Sequence, residues 1–337
     1  MKLSIVIPCR NEAKYIVACL QSIVNNNIDK NNLSVWVCDG LSTDNTVEII
    51  NEFALKYNFI HCIENTKKTT PFALNLGITK SLDSDFIMIL GAHSELSENY
   101  LIDVLKTFEL HPEAFCVGGF INNIYENNKA LFIGKAMSSL FGVGNAHFRL
   151  GTKNGWVDTV AFGTYRREVF TLIGFFDEDL ARNQDDEFSY RMQKNNLKIY
   201  LNSKCIINYY VRSSFIKLFK QYYQYGLWKV YVNNKHKAVT SIRQTIPFIL
   251  VSYTILSIII PFFLPKILNI VIFLLLIYFT IAFLVACFNG NNLKEKFGIF
   301  WSYLLLHYGY GLGYLIGIIK FLILRLKPNK NDEILTR

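Results

Sequence analysis

Charge is scarce in this chain. Only 18% of its 337 residues are Asp, Glu, Lys or Arg, against about a quarter in ordinary soluble domains. Acidic residues all but disappear after position 212, where 3 Asp+Glu face 14 Lys+Arg. Three stretches carry no charge at all: Gln244–Pro265, Ile267–Leu293 and Phe297–Ile319. Paired or clustered cysteine is also missing. The seven cysteines are odd in number and none has CxxC spacing, which excludes a disulfide framework and a zinc site and points to reduced thiols. No repeat of 20–50 residues and no low-complexity tract is present. With 51% hydrophobic residues, a disordered chain is excluded. The net charge of +9 suggests a nucleic-acid binder until its distribution is read. Residues 1–212 hold 21 Lys+Arg and 23 Asp+Glu, so the excess lies wholly behind them and no nucleic-acid partner is implied.

Within the first part, short β-branched runs alternate with amphipathic segments. Leu3–Ile7, Ser34–Cys38, Phe59–Ile63 and Phe86–Leu90 read as strands; 13–25, a stretch through about 56, and 71–82 read as helices. Such alternation predicts a parallel α/β sheet, and strands this uniformly apolar are covered on both faces. Ligands of these sheets bind beyond the carboxyl ends of the strands, where Pro8–Glu12, Asp39–Gly40 and Gly91–His93 fall. Further on, helices are expected at 98–109 and 186–195, and strands near 114–120, 157–165 and 197–201. Pro8 and Arg10-Asn11-Glu12 cut the first apolar run short, so no secretory signal is expected.

The second part reads as membrane-associated. Spans are expected near 246–264, 268–288 and 298–324. Residues 213–243 interleave aromatics with lysines and predict an amphipathic helix at the headgroup level, the alternative being a helix packed on protein. Gly309, Gly313 and Gly317 recur every four residues, which suits close helix packing. His307 inside the third span is either a functional ionisable group or a packing residue. Three spans from a cytoplasmic domain put the C-terminus outside, whereas Arg325, Lys327, Lys330 and Arg337 favour the inside; a re-entrant or interfacial third segment would reconcile the two. The expected organisation is a catalytic domain 1–212, an interfacial helix and linker 213–243, membrane segments 244–325 and a basic tail 326–337.

Three motifs occur in order: Ile5-Val6-Ile7-Pro8-Cys9-Arg10-Asn11-Glu12, Asp39-Gly40-Leu41-Ser42-Thr43-Asp44-Asn45-Thr46 and Gln184-Asp185-Asp186-Glu187-Phe188-Ser189-Tyr190-Arg191. The combination resembles the family 2 glycosyltransferases of GT-A fold, and within them the membrane-anchored bacterial enzymes of exopolysaccharide assembly, the succinoglycan-type branch. The resemblance covers residues 1 to about 230. It implies a Rossmann-like nucleotide-diphospho-sugar transferase domain followed by C-terminal transmembrane helices, and an inverting transfer of one sugar from a nucleotide donor, UDP-linked by expectation, to a lipid-linked (polyprenyl) saccharide. It further implies a multi-pass protein of the bacterial inner (cytoplasmic) membrane, in contact with lipid, with its catalytic domain in the cytoplasm. Two alternatives stay open: transfer to polyprenyl phosphate itself, and a catalytically degenerate membrane scaffold or nucleotide-sugar-binding module.

By the same resemblance Asp185 is the catalytic base that takes the acceptor proton. Its neighbours Asp186 and Glu187 form a run of carboxylates whose repulsion would raise one pKa; the acidic first turn of a helix is the structural reading of that run. Asp39 reads the base, Pro8, Arg10 and Glu12 pack around the nucleoside, and Asn75 lies near the donor. Asp158, Gly163 and Arg191 belong to the acceptor side. Gln221-Tyr222-Tyr223-Gln224-Tyr225 lacks the Arg-Trp of the processive synthases, which implies one addition per encounter. The main departure is Gly91-Ala92-His93 at the strand end where the family has Asp-x-Asp for Mn²⁺ or Mg²⁺. Three readings follow: His93 ligates the metal with phosphate oxygens, water and the neighbouring Glu95; a basic residue supplies the charge instead; or catalysis is weak or lost.

Overall fold

The computed structural model describes residues 1–151, 154–329 and 332. Lys330 and Arg337, and most of the expected basic tail, lie outside the described residues. In chain order the elements are β1 (Leu3–Cys9), α1 (Ile16–Val24), β2 (Leu33–Asp39), α2 (Thr46–Lys56), β3 (Ile60–Glu64), α3 (Thr70–Lys80), β4 (Phe86–Ile89), β5 (Ser94–Leu96), α4 (Tyr100–Leu110), β6 (Ala114–Ile124), α5 (Asn128–Met137), α6 (Leu140–Val143), α7 (His147–Leu150), β7 (Gly155–Val157), β8 (Thr164–Arg166), α8 (Glu168–Ile173), α9 (Gln184–Lys194), β9 (Lys198–Tyr210), α10 (Phe215–His236), α11 (Ile246–Ile259), α12 (Leu268–Asn289) and α13 (Leu293–Gly317), with short 3-10 turns between some of them and a π-helical turn, Ile318–Ile323, after α13. They form two compact units, Met1–Asn123 with Ala146–Tyr210, and Ile124–Asn145 with Val211–Arg337.

The first unit is one mixed sheet in the order β3-β2-β1-β4-β8-β6-β9-β5, with β7 on β9. β3, β2, β1 and β4 run parallel; β8 joins β4 antiparallel. The parallel strands are apolar throughout because alternate residues feed two layers. Leu3, Ile5 and Ile7 pack with Ile16, Leu20 and Tyr100 on one face, whereas Val6 packs with Leu74, Ile78 and Phe188 on the other. The register sets Cys9, Asp39 and Glu64 side by side at one edge of the sheet. The single strand expected over 157–165 is in fact two. Phe162 adopts a positive φ of 52°, a conformation a bulky side chain rarely takes, and the chain breaks there so that β7 pairs β9 while β8 pairs β4 and β6.

In the second unit α10 lies along α13. Gly309, Gly313 and Gly317 face α10 so closely that a methyl group on Gly309 would stand 3.0 Å from the Phe219 carbonyl oxygen and one on Gly317 2.9 Å from that of Leu227. Leu227, Val230, Tyr310, Tyr314 and Phe321 close the seam. The segment 213–243 is thus mainly a packed helix: Trp228 and Lys229 are buried, and the glycine stripe of α13 removes the side-chain bulk that would keep the backbones apart. Three helices are long and apolar enough to cross a membrane, Ile242–Ile259, Leu268–Asn289 and Leu293–Ile323. The last is one continuous helix, not a re-entrant hairpin, and is the most enclosed, with 44% of its apolar window buried against 11% and 17% for the others. His307 donates or accepts at both ring nitrogens, with Nδ1 2.9 Å from the Tyr278 hydroxyl and Nε2 2.9 Å from the Phe141 carbonyl; it is a hydrogen-bonded packing residue. Lys135 of α5 pairs with Glu295 of α13 at 2.7 Å, so the excursion Ile124–Asn145 belongs to this helical unit and not to the sheet.

Candidate active site

The carboxyl ends of β1, β2 and β4 bring the first two motifs together. Side chains of one loop cap the backbone of the other: Asn11 N donates to Ser42 Oγ at 2.8 Å, Thr43 N to Asn11 Oδ1 at 2.8 Å, Glu12 N to Thr46 Oγ1 at 2.9 Å and Ala13 N to Asp44 Oδ2 at 3.2 Å. Asn11 reaches this geometry with a φ of 54°, which asparagine tolerates better than most residues. Pro8, paired with Cys38 in the ladder, and the exposed Arg10 lead into this loop. Asp39 is 3% exposed and accepts from Ser42 through both oxygens, 2.9 Å from its N–H and 2.5 Å from its hydroxyl. These bonds fix the carboxylate, and each oxygen retains further acceptor capacity.

Glu12 and His93 meet across this edge, Nδ1 of His93 lying 3.2 Å from Oε1 of Glu12. Both side chains are largely enclosed, at 20% and 11% exposure. An aromatic wall stands beside them. Tyr209 packs edge-on against His93 with ring centroids 5.2 Å apart, Phe162 lies 6.3 Å from Tyr209, and Tyr15 lies 4.9 Å from Tyr210. Arg149 completes the wall, its guanidinium carbon 5.8 Å from the Tyr209 ring. Glu95 is opposite Asn208 on β9 in the ladder and accepts from the Tyr210 hydroxyl.

The residues present do not fit a divalent cation. Among the described residues no three His, Cys, Asp or Glu side chains gather where a metal could sit. Gly91 offers no ligand, and a Cβ placed there would stand 2.9 Å from the Phe162 ring, so the room a carboxylate would need is filled. Hard divalent ions require several oxygen ligands, and His93 with one paired carboxylate is not such a set.

Two residues clamp the loop after α8. Asn75 donates to the Phe176 carbonyl at 2.8 Å and to Glu178 Oε1 at 3.0 Å, and accepts from the Phe176 N–H at 2.9 Å. Arg191 donates to the carbonyls of Ile173 and Phe175 and grips Glu187 through two bonds of 2.8 and 2.9 Å. The structure therefore separates the acidic run. Glu187, 2% exposed, is neutralised by Arg191, whereas Asp185 is exposed at the head of α9. Asp185 accepts from the Asp186 N–H at 2.9 Å, and its charge reaches the buried Tyr165, whose hydroxyl burial foremost holds well above the usual range. The Asp158 carbonyl accepts from Gln193 of α9 at 2.7 Å. Gly163 sits tightly between Cys116 and Tyr165, and its carbonyl accepts from the Ile89 N–H, which holds β4 to β8. Sequence reasoning missed Arg149, Phe162, Tyr209 and Tyr210, which reach the site from positions 56–117 residues beyond His93.

Comparison with known proteins identifies a family. The profile described as Glycosyl transferase family 2 matches residues 4–174. A Methanococcus voltae protein named dolichyl N-acetyl-alpha-D-glucosaminyl phosphate 3-beta-D-2,3-diacetamido-2,3-dideoxy-beta-D-glucuronosyltransferase is 35% identical over 234 residues, covering 67% of this chain and 72% of its own. The succinoglycan biosynthesis protein ExoA of Rhizobium meliloti (strain 1021) is 29% identical over 249 residues, covering 72% and 73%. Among solved structures, S. aureus TarS 1-349 in complex with UDP-GlcNAc matches with a TM-score of 0.53 at 17% identity, covering 69% of this chain and 66% of that one; at that identity the likeness concerns the GT-A-like fold alone.

Proposed function

This chain belongs to glycosyl transferase family 2, and on that premise we propose that it moves one sugar from a UDP-sugar to a lipid-linked saccharide with inversion at the anomeric carbon. The acceptor hydroxyl attacks that carbon, the bond to the UDP oxygen breaks, and Asp185 takes the hydroxyl proton. One observation carries the reading. Of the carboxylates that open α9, Glu187 is neutralised by Arg191 while Asp185 stays exposed at the helix head. An exposed carboxylate held by a clamped loop is what an attacking hydroxyl requires.

Asp39 supplies the acceptor for a base N–H, and the paired loops around Pro8, Arg10 and Glu12 shape the nucleoside site. Asn75 and Arg191 position the loop beneath α9, with Asp158 and Gly163 bordering the acceptor. The lipid-linked acceptor is supported by the name of one relative, which describes transfer to a dolichyl-linked GlcNAc phosphate; that of another, succinoglycan biosynthesis, supports a polysaccharide product. Three apolar helices on the same chain would hold the enzyme in the cytoplasmic membrane with its site facing the cytoplasm, and would raise the local concentration of a lipid acceptor. The test is to offer the detergent-solubilised chain UDP-sugars with either a polyprenyl-diphosphate saccharide or polyprenyl phosphate, and to follow the lipid product by mass spectrometry. A saccharide-lipid heavier by one sugar is expected. Transfer to polyprenyl phosphate alone, or UDP binding without transfer, would contradict the reading.

A further inference from the structure

A sugar diphosphate carries two negative charges that must be met when the glycosidic bond breaks and UDP leaves. At the end of β4 the family's means of meeting them is absent. Gly91 carries no carboxylate, Phe162 fills the space beside it, and Glu95 is bound to Tyr210. A cation of the chain itself lies along the same wall. The Arg149 guanidinium rests on Tyr209, the ring that also packs against His93 and Phe162. Among the described residues its Nη1, shielded from solvent, has no hydrogen-bond partner.

A buried guanidinium N–H without a partner is costly, because charge and donor both go uncompensated. An anion bound beside it would satisfy such a group. Arginine suits this role, since its planar fork matches phosphate oxygens through paired bonds and it stays charged at any working pH. Stacking on Tyr209 fixes the plane of the fork and lowers the entropy lost when it binds.

We propose that this transferase holds its donor without a divalent metal, and that Arg149 faces the diphosphate and supplies the positive charge. The inference rests on the UDP-donor reading given above. No electron transfer or covalent step is added; the guanidinium binds the diphosphate before transfer and neutralises the charge that the leaving UDP gains.

The test is calorimetric titration of UDP and of uridine into the full-length chain in detergent, in EDTA and in excess MnCl2. Wild-type affinity for UDP should agree within about twofold between the two buffers. Arg149→Gln should lower UDP affinity about tenfold and leave uridine unchanged, which also shows that the nucleoside pocket is folded. UDP binding about tenfold tighter with Mn²⁺, or an R149Q variant with wild-type UDP affinity, would overturn the proposal while leaving the donor reading intact. If R149Q loses uridine as well, Arg149→Lys decides: a retained preference for UDP over uridine supports the proposal, and equal affinities overturn it. Wild-type protein that binds neither ligand would overturn the donor reading and this inference together.

Discussion

Nδ1 of His93 and Oε1 of Glu12 stand 3.2 Å apart across 81 residues of sequence. The contact ties the nucleoside loop after β1 to the end of β4, the two walls between which a nucleotide sugar would lie.

Glu12→Ala removes this tie between the two segments. UDP affinity should fall about tenfold, since a hydrogen bond to a charged group contributes about 1.5–3 kcal/mol. Equilibrium binding checks this, and unchanged affinity would show that the contact does not shape the donor pocket.

The clamp below α9 gives a stability prediction. Arg191→Met would strip the buried Glu187 carboxylate of both guanidinium bonds, at a cost of about 3–5 kcal/mol. Adding Glu187→Leu should recover much of that loss, because both charges are then gone. Urea unfolding of the two variants decides the matter; a double variant no more stable than the single would contradict the pairing.

Gly313→Leu tests the seam of the helical unit. A side chain there would meet the Tyr223 backbone, so α10 should move off α13. A cysteine pair at Leu227 and Tyr314, which pack together in the seam, should cross-link in the parent background and fail to do so with Gly313→Leu.

Buried thiols predict the alkaline side of the stability profile. Burial foremost pushes Cys38 and Cys205 up to about 12 from an ordinary value of 9.0. The unfolded chain loses these protons near pH 9 while the folded chain keeps them. Their contribution is therefore full below pH 9 and declines as pH rises toward about 12. The melting temperature should be lower at pH 10 than at pH 8, and Cys38→Ala should shrink that difference.

The sequence made the parallel half of the sheet readable because its strands serve two packing layers and its helices keep a clean period. Asp39 and Asp185 stand out through ordered motifs, and the structure puts the first at the end of β2 and the second in the first turn of α9. The break at Phe162 was not, since an aromatic at positive φ carries no local signal. Nor was the division of labour in Asp185-Asp186-Glu187: which carboxylate is neutralised depends on Arg191 lying one helical turn beyond Glu187 and on carbonyls 16 and 18 residues upstream of that arginine. Tyr209 and Arg149 reach His93 only through antiparallel pairing of β5 with β9 and a turn far from the motifs. The aromatic and basic composition of α10 suggested a lipid surface, but the glycines that receive this helix lie about 90 residues later, on α13.

The most direct test of the account is sugar transfer by Asp185→Asn, measured beside UDP binding on the same preparation. Removal of a general base predicts a kcat lower by about 10²–10⁴-fold with UDP affinity unchanged. Transfer at the wild-type rate would contradict the assignment of Asp185 and, with it, the mechanism proposed here.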